Sequence, residues 1–325
     1  MHKVSPEMVF GYQYGYSGRP AIVKGIYDGC GIPVRLRPGA GAYWDTDAHQ
    51  QLGKAYQLQG LSELMGHPDW IGARCPEIES CPRTFAGRTP QGVILEAFEN
   101  LALGLDFLSM FVADTRGGET VEYYADLLFP RIRAAVPFLR AYRDANAGTL
   151  PCGFTVKRNE PAKLVATRGL PIVGAHAKLL GPLPDFDTIK VRMGGSGYVD
   201  RSSREYQTSV MQIVSSTELT NFYARCDRAC GCRLPVLFER PVMAFALPRV
   251  RDDGTLVTLA IVNASIDRQD PAIVRLRGVP AEATTAVWHQ PEAESVALGM
   301  ERRGAEARVR LPRIGAWACG YLDFK

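Results

Sequence analysis

Residues 70–82 read Trp-Ile-Gly-Ala-Arg-Cys-Pro-Glu-Ile-Glu-Ser-Cys-Pro, a short apolar run that ends in two closely spaced carboxylates. The run is too short for a helix and reads as a strand over 70–80. The residues that follow, PQGVILEAFENLALG at 90–104, read as a helix with proline near its start and glycine at its end. LDFLSMFVA at 105–113 is then a second strand, and residues 119–145 a long helix that Pro130 and Pro137 are expected to kink. The same alternation runs backwards from residue 70. VFGYQY (9–14) reads as a strand, PAIVKGIYDG (20–29) as a helix, and IPVRLRPG (32–39) as a strand. Residues 45–66 read as a helix capped by Asp45, Thr46 or Asp47.

Four strand-then-helix units in a row use roughly 35 residues each, against about 31 per unit in a complete (β/α)₈ barrel. The strands are short and apolar, as buried parallel strands are. Residues 1–147 therefore fit four units of a barrel or a small doubly wound sheet. Residues 148–235 read as a small α/β domain. Residues 236–325 change character: VMAFALPRV, TLVTLAIVNAS, AIVRLRGV, TTAVWHQ, ARVRLPRI and WACGYLDF are short, partly alternating runs parted by turn residues. That spacing predicts an antiparallel β-sandwich. The expected fold class is thus α/β plus β.

Composition narrows the function classes. The chain has 325 residues, 46% of them hydrophobic and 22% charged, which predicts an ordered protein of two or three domains. A net charge of +4, spread along the chain, argues against nucleic acid as the main partner. No apolar run approaches the ~18 residues of a membrane span. The first residues do not form a signal peptide, so the eight cysteines are expected as free thiols in a cytoplasmic protein. Cys226, Cys230 and Cys232 lack the usual pair spacing and a nearby histidine, so no metal is expected, and no cofactor motif is present. The five histidines form no recognisable catalytic pattern, and no G-x-S-x-G anchors a serine nucleophile.

Two constellations carry potential chemistry. Glu77 and Glu79 share one face of a strand. Two adjacent carboxylates repel when both are ionised, which raises one pKa and can poise an acid or a nucleophile. The other reading of the pair is a solvated loop neutralised by Arg74, Arg83 or Arg88. Arg35 and Arg37 likewise share a face, and Tyr43, Trp44 and Asp45 follow on a glycine-containing loop. An aromatic to stack on a sugar, with arginine and aspartate for its hydroxyls, is a common pocket composition. The alternative is an Arg–Asp ion pair that closes the loop.

With RPGAGAYWD (37–45) and EIESCP (77–82) on the page, the chain resembles the C-terminal portion of clan A glycoside hydrolases of the β-galactosidase-like type. The resemblance implies a (β/α)₈ barrel followed by a flavodoxin-like domain and a β-sandwich. It implies that Glu79, in Glu79-Ser80-Cys81-Pro82, is the nucleophile at the end of barrel strand 7, with Glu77 as a supporting carboxylate. The segment from Arg37 to Asp45 would follow strand 6, Phe111 and Asp114 would close strand 8, and Phe10 to Gln13 would end strand 5. The chain would then hold units 5–8 only, without the strand that carries the family's acid/base. The function expected is that of a retaining glycoside hydrolase or the C-terminal portion of one, acting on carbohydrate. The alternatives are a non-catalytic carbohydrate-binding or assembly protein, and an unrelated α/β protein in which EIES is a surface loop. Expected partners are a carbohydrate and either the missing N-terminal half-barrel or further copies of the chain.

Overall fold

A computed structural model describes residues 11–14, 20–38, 70–74, 77–80, 89–105, 109–112, 122–152, 224, 227–228, 231–240, 242, 244–263 and 267–325. The chain is β-rich. It opens with β1 (Gly11–Tyr14), α1 (Pro20–Cys30) and β2 (Val34–Pro38), followed by β3 (Ile71–Arg74) and β4 (Glu77–Ser80). Then come α2 (Pro90–Ala102), β5 (Ser109–Val112), a π-helical turn (Tyr123–Leu128) and α3 (Phe129–Ala145).

The strands of this part are parallel neighbours in chain order. β1, β2 and β3 form one sheet, and β4 pairs with β5. Within the strand expected over 70–80 the described residues hold two strands, β3 in the first sheet and β4 in a second. Within the strand expected over 105–113, β5 covers Ser109–Val112. A small core of Val23, Val34, Leu36 and Ile71 joins α1 to the first sheet.

The helices begin and end for local reasons. Thr89 caps α2 by accepting a hydrogen bond from the Gly92 N–H at 3.0 Å, and Pro90 takes the first turn, where its missing N–H costs nothing. The chain leaves α2 at Gly104, whose φ of +85° is open to glycine and whose Cβ, if present, would lie 2.7 Å from Arg249. Pro130 does not break the 122–145 helix. It sits in the first turn of α3, and the residues before it widen to π geometry, with the Phe129 N–H donating to the carbonyl of Tyr124.

The other described strands form one nine-stranded antiparallel sheet. Its strands are β6 (Leu150–Pro151), β7 (Val236–Phe238), β8 (Phe245–Val250), β9 (Leu256–Asn263) and β10 (Ile273–Arg277), with β11 (Thr285–His289), β12 (Val296–Arg303), β13 (Glu306–Arg310) and β14 (Ala318–Phe324). They run in the order β6-β8-β9-β14-β11-β12-β13-β10-β7. β12 pairs with β11 through Val296–Gly299 and with β13 through Met300–Arg303. The sheet curls there, so its two halves enclose one core. Phe238, Leu276 and Val309 come from one half, and Leu259, Ile261 and Trp288 from the other.

Period-two alternation sends the remaining side chains of β8, β9 and β14 to the opposite face. There Phe245, Leu247, Ala260, Val262 and Tyr321 pack beneath α2 and α3. Covered on both faces, β8 is buried along its whole length. Phe98 of α2 anchors this layer, with its ring centroid 4.8 Å from Tyr142 and 5.1 Å from Phe138. A buried polar knot fixes the end of α3. Thr258 donates to Asn146 Oδ1 at 2.7 Å, and Arg249 donates to the hydroxyl and carbonyl of Thr149 at 3.0 and 2.8 Å.

The expected boundaries at 148 and 236 meet the sheet. β6 pairs with β8, and Asp227 accepts from Arg277 at 2.7 Å. Most of the middle region, residues 153–223, lies outside the described residues.

Candidate active site

Parallel strands bring their C-terminal ends to one edge, which is where α/β proteins place their chemistry. Five of the site residues expected from sequence stand on such strands. Arg35 and Arg37 lie on β2, level with Gly11 and Gln13 of β1, and Arg35 is exposed. Glu77 and Glu79 lie on β4, level with Ser109 and Phe111 of β5. The pairing Leu36↔Arg74 comes two residues before the end of β2. Between the two glutamates, Ile78 is 2% exposed and packs in the core with α2. Register thus sets Glu79 and Phe111 side by side on neighbouring strands. Tyr43, Trp44, Asp45 and Asp114 lie outside the described residues.

α2, the helix after β4, buries Glu96 and Glu99 completely or nearly so. The charge of Glu99 adds to burial in pushing the Cys319 thiol far above its ordinary range. Among the described residues, no group of three or more His, Cys, Asp or Glu is placed to hold a metal ion, and no helix is long and apolar enough to cross a membrane.

A second polar constellation, absent from the sequence reading, lies on the outer face of the curled sheet. His289 ends β11 and sits opposite Tyr321 of β14, with their rings stacked at 4.5 Å and 20°. Its Nδ1 is 2.6 Å from Ser295 Oγ, and its Nε2 is 3.3 Å from Asp323 Oδ1. These atoms border a groove of about 470 Å³ between α3 and residues 290–295. Arg131 of α3 bridges to Glu292 at 2.8 Å across one side of it. The only sequence signal was the apolar alternation of β11 and β14. Their pairing register, which the sequence does not display, is what joins His289 to Asp323.

No family model matches the sequence, and no curated protein matches it. Among solved structures, two glycoside hydrolases align with the chain. A rhamnosidase from Novosphingobium sp. PP1Y gives a TM-score of 0.48 at 11% identity, over 94% of this chain and 38% of that one. The α-L-fucosidase isoenzyme 2 from Paenibacillus thiaminolyticus gives 0.29 at 8% identity, over 95% and 62% respectively. The chain therefore spans well under half the length of the rhamnosidase and less than two thirds of the fucosidase.

Proposed function

We propose that the chain carries the nucleophile portion of a retaining glycoside hydrolase, with Glu79 as the nucleophile. The observation that supports this most is the position of β4, a strand bearing two glutamates. It follows sequential parallel strands and is in register with Phe111 of the next. In this reading the Glu79 carboxylate attacks the anomeric carbon. The bond to the leaving oxygen breaks, and water later hydrolyses the glycosyl ester. Glu77 supports the charge at Glu79, while Arg35, Arg37, Tyr43, Trp44, Asp45, Phe111 and Asp114 contact the sugar.

A retaining site needs a second carboxyl about 5–5.5 Å from the first. Glu77 and Glu79 lie on one strand and cannot flank a sugar from opposite sides. In this reading the acid is supplied by an N-terminal half-barrel or by another copy of the chain. Units 5–8 alone would leave strand edges open, which a partner half-barrel would cover.

The test uses dinitrophenyl glycosides, whose leaving groups depart without a general acid. The expected result is slow turnover by the chain and a loss of about a thousandfold or more in Glu79→Gln at an unchanged melting temperature. Azide should restore turnover in Glu79→Ala by taking the place of the missing nucleophile. Full activity in Glu79→Gln removes Glu79 from the role. Saturable sugar binding by calorimetry with no turnover replaces the enzyme reading by that of a carbohydrate-binding protein.

A further inference from the structure

We propose that Ser295, His289 and Asp323 form a hydrolytic triad for short, uncharged acyl esters, separate from the glutamate-bearing strand. Triads are recognised by geometry and role and not by position in the sequence. A general base 2.6 Å from a serine hydroxyl is within the range for proton transfer, and Ser295 itself is exposed to an incoming ester.

The protonation pattern follows from the neighbours. Nε2 of His289 and Oδ1 of Asp323 are both buried and 3.3 Å apart, and as placed neither makes a hydrogen bond among the described residues. With the imidazole neutral, one tautomer suits all three groups. Nε2 carries the proton and faces the carboxylate, while Nδ1 is left as the acceptor for the Ser295 O–H. That is the form in which the imidazole acts as base. The two ring nitrogens exchange places relative to the commoner order, in which the serine meets Nε2, but the direction of proton movement is unchanged. Stacking on Tyr321 holds the ring in plane, and Lys325 lies 3.6 Å from the other oxygen of Asp323.

The groove defines the substrate class. Its α3 wall presents Pro137, Phe138 and Ala141, an apolar surface for an acyl chain. Its lining includes Glu294, whose charge disfavours anionic substrates, while Glu292 is paired with Arg131. In the reaction, Ser295 Oγ bonds to the ester carbonyl carbon as its proton passes to His289 Nδ1. The ester C–O bond then breaks, and the alcohol leaves with that proton. Water, giving its proton to the same nitrogen, hydrolyses the acyl-serine to the acid and restores the hydroxyl. Asp323 is a positioning residue that acts through the ring.

The test is to treat the full chain with a fluorophosphonate, locate the adduct by peptide mapping, and follow hydrolysis of p-nitrophenyl acetate. The expected adduct is on Ser295. Its rate of formation should fall at least tenfold in His289→Gln and Asp323→Asn and recover in part in Asp323→Glu, with melting temperatures unchanged. The conservative variant separates positioning of the ring from mere loss of fold. Failure to form an adduct, an adduct confined to other residues, or an undiminished rate in His289→Gln would overturn the proposal. Should His289→Gln fail to fold, Ser295→Ala decides the matter. Its side chain is exposed, so it should fold, and undiminished ester hydrolysis by it also overturns the triad.

Discussion

A phenol removed from water resists giving up its proton, because the phenolate loses its hydration and gains little in return. Tyr142 is fully buried between α3 and the sheet, and burial pushes its pKa up to about 12, against the smaller opposing pull of the Arg249 charge. In the unfolded chain the same phenol ionises near pH 10. Its protonated form therefore supports the fold fully below pH 10, and that support is lost as pH rises through about 12. Two units correspond to about 3 kcal/mol. Tyr321, also raised to about 12 by burial, with Asp323 adding to the effect, acts in the same direction. We expect Tyr142→Phe to unfold at higher pH than the parent chain when denaturant midpoints are compared between pH 9 and 12. Identical alkaline limbs would mean that another group controls them. At this scale the spacing of Glu77 and Glu79 is legible in the sequence and places both on one strand. The sequence was uninformative about His289, whose partners arrive through strand pairing and a turn.

Among the elements, β12 shows why some strands are legible in sequence and others are not. β10, β11 and β13 alternate buried and part-exposed residues, and a period-two reading finds them. β12 is mostly exposed, with Gly299, Glu301, Arg302 and Arg303 along it, so it reads as a turn. It forms because strands on both sides supply hydrogen bonds, a tertiary reason that no local pattern carries. The charges on neighbouring β10 and β13 have a measurable consequence. Hydrogen bonds from Arg275, and then from Arg277, hold the Glu306 carboxyl below its usual range. A carboxylate stabilised in this way supports the fold above its unfolded pKa, and the support is lost as pH falls through the folded value. Glu306→Gln should therefore flatten the acid limb of the stability curve below about pH 4. Thermal melts of both chains from pH 2.5 to 6 would show it, and parallel limbs would argue against the pairing.

On the scale of the whole molecule, α2 and α3 lie in the first half of the chain yet pack on strands from its last third. The same rings of Phe98, Phe138 and Tyr142 serve both. The expected domain boundaries do not reveal that sharing, since composition changes where an element changes and not where a core ends. One consequence is cooperativity. Phe98→Ala should cost about 3–5 kcal/mol and lower a single transition in which far-ultraviolet and near-ultraviolet circular dichroism move together. Two separated transitions would mean that the helical layer and the sheet melt independently. A second consequence concerns the order in which the polypeptide is made. β14 lies in the middle of the sheet, between β9 and β11, although it is the last strand to be synthesised. At about 5–20 residues per second, the ribosome takes several seconds to pass from β9 to β14. Throughout that interval Val262 and Tyr142 have emerged, but Tyr321 has not arrived to cover them. The nascent chain thus presents a sticky, half-built face to the cell, and holding it soluble falls to whatever chaperone meets it at the tunnel exit.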